Sequence, residues 1–362
     1  MRRSSLQSVQ RVLLVLLVVL VCLLLHNTFL GASARPKLSD KWKNIHSPAK
    51  APTETPAQDV VSVVICASEE RLGATMATIN SIYSNTDADV FFYIVTLRDA
   101  VALTRHYIQS TSLQGIQYKI LEFNPMVLRG KVKPDSSRPD LLHPLNFVRF
   151  YLPLLAIPHR RVIYLDDDII VQGDILNLFK VKLHPEHAAA FASDCDLPST
   201  HEMVRSIGMQ TTYMGFLDYR KQEVKDLGIN PSDCSFNPGV FVADLTRWKQ
   251  QKITKLLETC MEENFRLNIY SSAMAGGVAT PPMLIVFHNK YTKLDPRWHV
   301  RHLGWSPDAR YPDSVLKEAQ LLHWNGPFKP WKYPAVHSDL WEKWFIPDPS
   351  GRFLLDRPES DR

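Results

Sequence analysis

The chain has 362 residues, 42 Lys+Arg against 37 Asp+Glu, and a formal net charge of +5. The basic excess is local: residues 1–50 hold eight basic residues and one acidic, which leaves 34 against 36 in the remainder. A near-neutral body excludes a nucleic-acid-binding surface, and five scattered cysteines without C-x-x-C spacing argue against a zinc site.

Residues 1–11 are basic, with Arg2, Arg3 and Arg11, and precede an apolar run of fourteen residues, Val12 to Leu25. His26, Asn27 and Thr28 interrupt it, and Phe29 to Ala32 extend it to about the ~20 residues that cross a bilayer core. A cleaved signal peptide is the rival reading, since small residues follow at Gly31 to Ala34. The long basic start and the extended run favour a signal-anchor over 12–32, with the tail 1–11 cytoplasmic and everything later lumenal. Residues 33–59 are rich in Pro, Ala, Lys and Thr, cannot bury a core, and read as a disordered stem. Residues 60–350 suffice for one α/β domain, followed by a tail at 351–362. No N-x-S/T sequon without proline is present.

The body alternates strand and helix. Val60 to Ala67, Val90 to Thr96, Gln117 to Phe123, Val162 to Leu165, Ala188 to Ser193, Val240 to Ala243 and Leu284 to Phe287 read as strands. Ala74 to Ser84 and Asp99 to Thr111 have helical spacing. Such alternation predicts a mostly parallel sheet covered on both faces, with ligands beyond the carboxyl ends of its strands. Without G-x-G-x-x-G after the first strand, a dehydrogenase-type dinucleotide fold is disfavoured. Cys66 reads as a buried thiol, while Cys195, Cys234 and Cys260 leave one disulfide possible in an oxidising lumen.

Asp166, Asp167 and Asp168 stand together at the end of the strand Val162 to Leu165. Three adjacent carboxylates repel, and a hard divalent cation relieves them. Alternate side chains of an extended segment share a face, so Asp166 and Asp168 would meet one ion while Asp167 points away. A capping acidic turn is the alternative. Further on, LLHWNGPFKPW (Leu321 to Trp331) offers His323 as a metal ligand, Gly326 for close backbone approach and Lys329 as a cation for a phosphate. Taken singly, each of these residues also fits a structural role.

VRFYLP (148–153), YLDDDIIVQGD (164–174), FNPGVFVADLTRWK (236–249) and HWNGPFKPW (323–331) together resemble glycosyltransferase family 8, in order and spacing across residues 60 to 350. The resemblance implies a GT-A fold with a Rossmann-like sheet, a UDP-sugar donor, Mn²⁺, and transfer with retention of configuration. It also implies a single-pass type II Golgi membrane protein acting on a glycan, protein or lipid acceptor. The family's metal ligands fall on Asp166, Asp168 and His323. Its nucleotide and donor contacts fall on Ala67, Ser68, Glu69, Leu72, Arg149, Asp167, Gly326 and Lys329, with Leu72 where a base-stacking tyrosine often sits. Lys329, Arg149 and Asn237 are the expected catalytic group.

Pro238 replaces a small residue beside Asn237, and SSAMAGGVATPPMLIVF (271–287) lacks the carboxylate that several members place near the sugar. No nucleophile is therefore identified, and a front-face departure requires none. A Golgi-resident binding or scaffold protein on the same fold is the alternative to an enzyme. Six of eight tryptophans lie between Trp298 and Trp344; they read as a strap pinning the C-terminal segment, with Trp324 and Trp331 set apart by their position beside the metal and phosphate residues.

Overall fold

A computed structural model describes residues 60–133, 139–196, 213–270, 278–307 and 311–357. The expected anchor at 12–32 and stem at 33–59 lie outside the described residues, as do 271–277 of the carboxylate-free stretch. Among the described residues no helix is long and apolar enough to cross a membrane.

The strands are β1 Val61–Cys66, β2 Val90–Thr96, β3 Gln117–Glu122, β4 Arg161–Leu165, β5 Ile169–Val171, β6 Ala189–Phe191, β7 Val240–Asp244, β8 Thr292–Lys293 and β9 Leu321–His323. Seven of them form one sheet in the order β3-β2-β1-β4-β7-β6-β8, and β5 with β9 forms a separate ribbon. The pairs β3–β2, β2–β1, β1–β4 and β6–β8 are parallel, whereas β7 runs antiparallel to both β4 and β6. The mostly parallel α/β sheet expected from the strand–helix alternation is thus present, with one reversed strand at its centre. β1 and β7 are buried along their whole length and β4 from Val162 to Leu165, as strands covered on both faces must be.

Four helices of eight or more residues appear among the described residues: α1 Leu72–Ser84, α2 Val101–Gln109, α3 Ile253–Leu267 and α4 Thr280–Phe287. The last corrects a strand expectation. Leu284 to Phe287 is the end of α4 rather than a strand, because Pro281 and Pro282 pre-set the first helical turn and a short apolar run by itself fits either form. Cys195 and Cys234 close a disulfide, and among the described residues Cys66 and Cys260 are buried free thiols; burial pushes the Cys66 thiol up to about 12.

The C-terminal aromatics do form a strap. Trp324, Trp331, Trp341 and Phe353 share a second apolar cluster with Ala74 and Ala77 of α1. Phe353 packs so closely on Gly73 that a methyl group there would overlap its ring. Packing of this kind continues past residue 350, into the C-terminal tail.

Candidate metal and donor site

The main-sheet strands β1 and β4 end at one edge, and each hands its chain to a polar segment there. After β4 the Asp166 amide donates to the Gly239 carbonyl at 2.8 Å, which ties the acidic triplet to the turn before β7. From behind, Thr78 of α1 donates its hydroxyl to the Asp167 and Ile169 carbonyls, at 3.2 and 2.7 Å. The β5–β9 ribbon pairs Ile169 with His323, so Asp168 and His323 come side by side. The Trp324 amide then donates to the Asp168 carbonyl at 3.0 Å. Four segments distant in sequence therefore fix the backbone on which three ligand side chains stand.

One ligand atom each from Asp166, Asp168 and His323 lies within 4.8 Å of the others. Asp168 Oδ1 and His323 Nε2 are 2.9 Å apart, yet Asp168 Oδ1 has no hydrogen-bond partner. The two atoms are close but not aligned on one another, and with Asp166 they face a common point. Neighbouring ligands of an octahedral ion with ~2.1 Å bonds are spaced by roughly 3 Å. The donor set, two carboxylates and an imidazole, suits Mn²⁺ or Mg²⁺ rather than a thiolate-seeking metal. Gly239 leaves the room: a Cβ there would stand 2.5 Å from Asp166 Oδ2 and 2.6 Å from His323 Cε1. The residues present thus fit a divalent cation.

Behind His323, His299 makes a 2.8 Å hydrogen bond between its Nε2 and His323 Nδ1, ring stacked on ring. Burial, with His323, Arg301 and His302 nearby, holds His299 well below the usual histidine range, so it is neutral. With an ion bound, His323 would carry its proton on Nδ1, donate it to His299 Nε2, and keep Nε2 free for the ion.

Three cations face the triplet. Arg149, on the 3-10 turn Pro144–Phe150, donates from Nη2 to Asp166 Oδ1 at 2.8 Å and from Nη1 to the Pro238 carbonyl at 2.7 Å. Its guanidinium also lies 4.9 Å from the Tyr164 ring centroid. Lys329 donates to Asp168 Oδ2 and, at 3.0 Å, to the Trp324 carbonyl. Arg71, which the sequence reading passed over, lies 2.6 Å from Asp167 Oδ1 and 3.3 Å from Asp168 Oδ2. Burial raises the Asp168 carboxyl, but Lys329 and His323 outweigh it and hold it well below the ordinary range. For Asp167 burial wins over Arg71, and its carboxyl is pushed up.

The remaining expected contacts are less uniform. Asn237 accepts from the Gly239 amide at 2.8 Å, which shapes the turn under the ligands. Its Nδ2 and that of Asn325 donate to the Tyr213 hydroxyl, at 3.4 and 3.1 Å. That hydroxyl also meets His302 Nε2 at 2.9 Å. Gly326 has φ +118°, and a side chain there would strike the Gly304 backbone; the glycine is required by the fold of its own turn. Ala67 is buried, its amide donating to the Val95 carbonyl. Ser68 precedes the 3-10 turn Glu69–Arg71, where Glu69 is exposed and paired with Arg352. Leu72 is 1% exposed inside the main core and presents no face for a base to stack on. Neither Gly239 nor His299 carries a sequence signal of its own: one is the glycine of F-N-P-G-V, the other an isolated histidine.

An α/β fold of this kind, with two carboxylates and an imidazole gathered beyond its strand ends, defines a GT-A-like glycosyltransferase. Residues 62–335 match glycosyl transferase family 8, and the chain belongs to that family. It is 61% identical to Glycosyltransferase 8 domain-containing protein 2 of Homo sapiens over 306 residues, 84% of this chain and 88% of that one. Against Glycosyltransferase 8 domain-containing protein 1 of Homo sapiens the identity is 51% over 300 residues, 83% and 81% of the two chains. The four motifs suggest a greater likeness to protein 1; the identities correct this in favour of protein 2, because motifs common to a family do not separate its members. A crystal structure of the galactosyltransferase LgtC with donor and acceptor sugar analogs superposes with a TM-score of 0.57 at 15% identity, covering 83% of this chain and 98% of that one. At that identity the likeness establishes the fold alone.

Proposed function

We propose that this protein transfers a hexose or related sugar from a UDP-sugar to an acceptor, with retention of configuration and dependence on a divalent cation. The observation that carries the reading is the convergence of Asp166, Asp168 and His323 within 4.8 Å, flanked by Lys329. Asp166, Asp168 and His323 would hold the ion, which when bound neutralises charge on the departing diphosphate as a Lewis acid. Arg149 holds the Asp166 carboxylate in place through Nη2. Lys329 stands where negative charge grows as the glycosidic bond breaks, and its Nζ is pre-placed by the Trp324 carbonyl. Asn237 shapes the floor beside the ligands through Gly239. The nucleotide lies toward Ala67, Ser68 and Glu69, at the end of β1. We place the protein in the Golgi membrane as a single-pass type II protein with a lumenal catalytic body, on the strength of the apolar run at 12–32 and the arginines before it.

The test is calorimetric titration of UDP into the protein with Mn²⁺ and with EDTA, followed by UDP-sugar hydrolysis under both conditions. UDP binding and turnover should require the metal. Equal UDP affinity in EDTA refutes the proposal. Metal-dependent binding across a panel of UDP-sugars without turnover on any of them supports instead a donor-binding or scaffold protein.

A further inference from the structure

Among the described residues, the carboxylates of the triplet already face as many cations as they number. Asp166, Asp167 and Asp168 carry at most three negative charges, and Arg149, Arg71 and Lys329 face them at salt-bridge distance. A divalent cation added to this set raises the local charge by two, and a nucleoside diphosphate lowers it by two or more. The ion and the diphosphate are therefore each disfavoured alone and favoured together, unless one of the three cations can move from carboxylate to phosphate.

Arg71 is the one built to move. Its side chain is 35% exposed, against 8% for Arg149 and 18% for Lys329, and only its Nε and Nη2 are covered, where they face the carboxylates. Its contacts to Asp167 and Asp168 are close but off the N–H axes, and both Nε and Nη2 lack a hydrogen-bond partner. Those two donors form the side of a guanidinium fork that accepts a phosphate or carboxylate in bidentate fashion. The guanidinium is held 5.3 Å from the Trp331 ring centroid, a platform that supports it without consuming its donors. Arg71 also ends the turn after β1, between the residues expected to meet the nucleoside and the residues that would hold the ion.

We propose that Arg71 is a diphosphate-binding residue that releases Asp167 and Asp168 when a divalent cation takes over their charge, and so couples ion binding to donor binding. This rests on the donor reading given above. Before ion and donor arrive Arg71 and Lys329 shield the carboxylates; afterward Arg71 pairs with phosphate oxygens. Linkage then requires that UDP tighten Mn²⁺ binding by the same factor by which Mn²⁺ tightens UDP binding.

The two ligands should respond to Arg71→Ala with opposite signs. With the full-length protein in detergent, Mn²⁺ alone is titrated by electron paramagnetic resonance, and UDP and uridine are titrated by calorimetry at saturating Mn²⁺. Arg71→Ala should bind Mn²⁺ alone severalfold more tightly, because a competing cation is gone. It should bind UDP roughly ten- to a hundredfold more weakly, and uridine as wild type does. Arg71→Lys, with the charge but not the fork, should leave Mn²⁺ affinity unchanged and fall between the two for UDP. A variant that loses Mn²⁺ and UDP affinity together, or neither, overturns the role of Arg71 while wild-type binding of UDP keeps the donor reading intact. A wild-type protein that ignores UDP in Mn²⁺ overturns the donor reading, and this inference with it.

Discussion

Lys329 is held by its neighbours rather than dissolved in solvent. Its ammonium donates to a metal-ligand carboxylate and to the Trp324 carbonyl, and burial lowers its affinity for a proton, which Asp168 offsets only in part. An ammonium fixed there gains most from an anion that forms only as the sugar departs, which lowers a barrier more than a ground state. Lys329→Ala should therefore reduce kcat for donor hydrolysis about a hundredfold or more, with a small change in KM. The measurement is steady-state hydrolysis of a UDP-sugar by both forms; an unchanged kcat would make this lysine a structural counter-ion to Asp168. At this scale the sequence was informative where chemistry is written into residue type. A carboxylate triplet and a histidine beside glycine and lysine are legible as donors and charges. Arg71 was not, because what distinguishes it is exposure, misaligned contacts and a tryptophan brought from 260 residues away.

Among the elements, the pairing of two three-residue strands matters more than the main sheet. β5 and β9 carry Asp168 and His323 at adjacent ends, and neither strand is long enough to announce itself by alternation. Their register is extended by the parallel bridge between Val300 and Leu322 and by the His323 amide donating to the Val300 carbonyl at 2.8 Å. The same short segment brings His299 behind His323, so one element both braces the ribbon and fixes the ligand's tautomer. Substituting His299 by Ala should weaken Mn²⁺ affinity by about ten- to a hundredfold, the cost typical of losing a partner that orients a ligand. His299→Gln, which can still accept from His323 Nδ1, should recover part of it. Mn²⁺ titration with thermal melting of both variants tests this; equal affinity in all three proteins would reduce His299 to packing. The strand order itself could be anticipated in outline, since β-branched runs separated by helical spacing read as a parallel sheet. The reversal of β7 and the helical fate of Leu284 to Phe287 could not, because both are settled by tertiary neighbours rather than by the local apolar pattern.

For the whole molecule, the proposed anchor predicts that the body lies on the lumenal side of a membrane. Three observations bear on it. Arg2, Arg3 and Arg11 precede the apolar run, and positive residues tend to stay cytoplasmic. The basic excess is confined to the first 50 residues, beside the expected membrane. Cys195 and Cys234 are bonded across 39 residues, a link that reducing compartments do not normally sustain. That link joins the segment bearing Asp194 to the one bearing Ser235, and Ser235 donates both its amide and its hydroxyl to Asp194. The Ser235 hydroxyl in turn receives the Tyr213 amide at 2.8 Å, so the disulfide braces the network that ends on Asn237 and Asn325. A lumenal body should leave this pair oxidised and the polypeptide beyond residue 59 protected. Protease added to sealed microsomes should then remove at most the short N-terminal tail, and detergent should be needed to digest the rest. Mass spectrometry after alkylation without reductant should find Cys195 and Cys234 linked and Cys66 and Cys260 as thiols. Digestion of the body without detergent, or alkylation of Cys195 and Cys234, would place it in the cytosol and remove the oxidising environment from the argument.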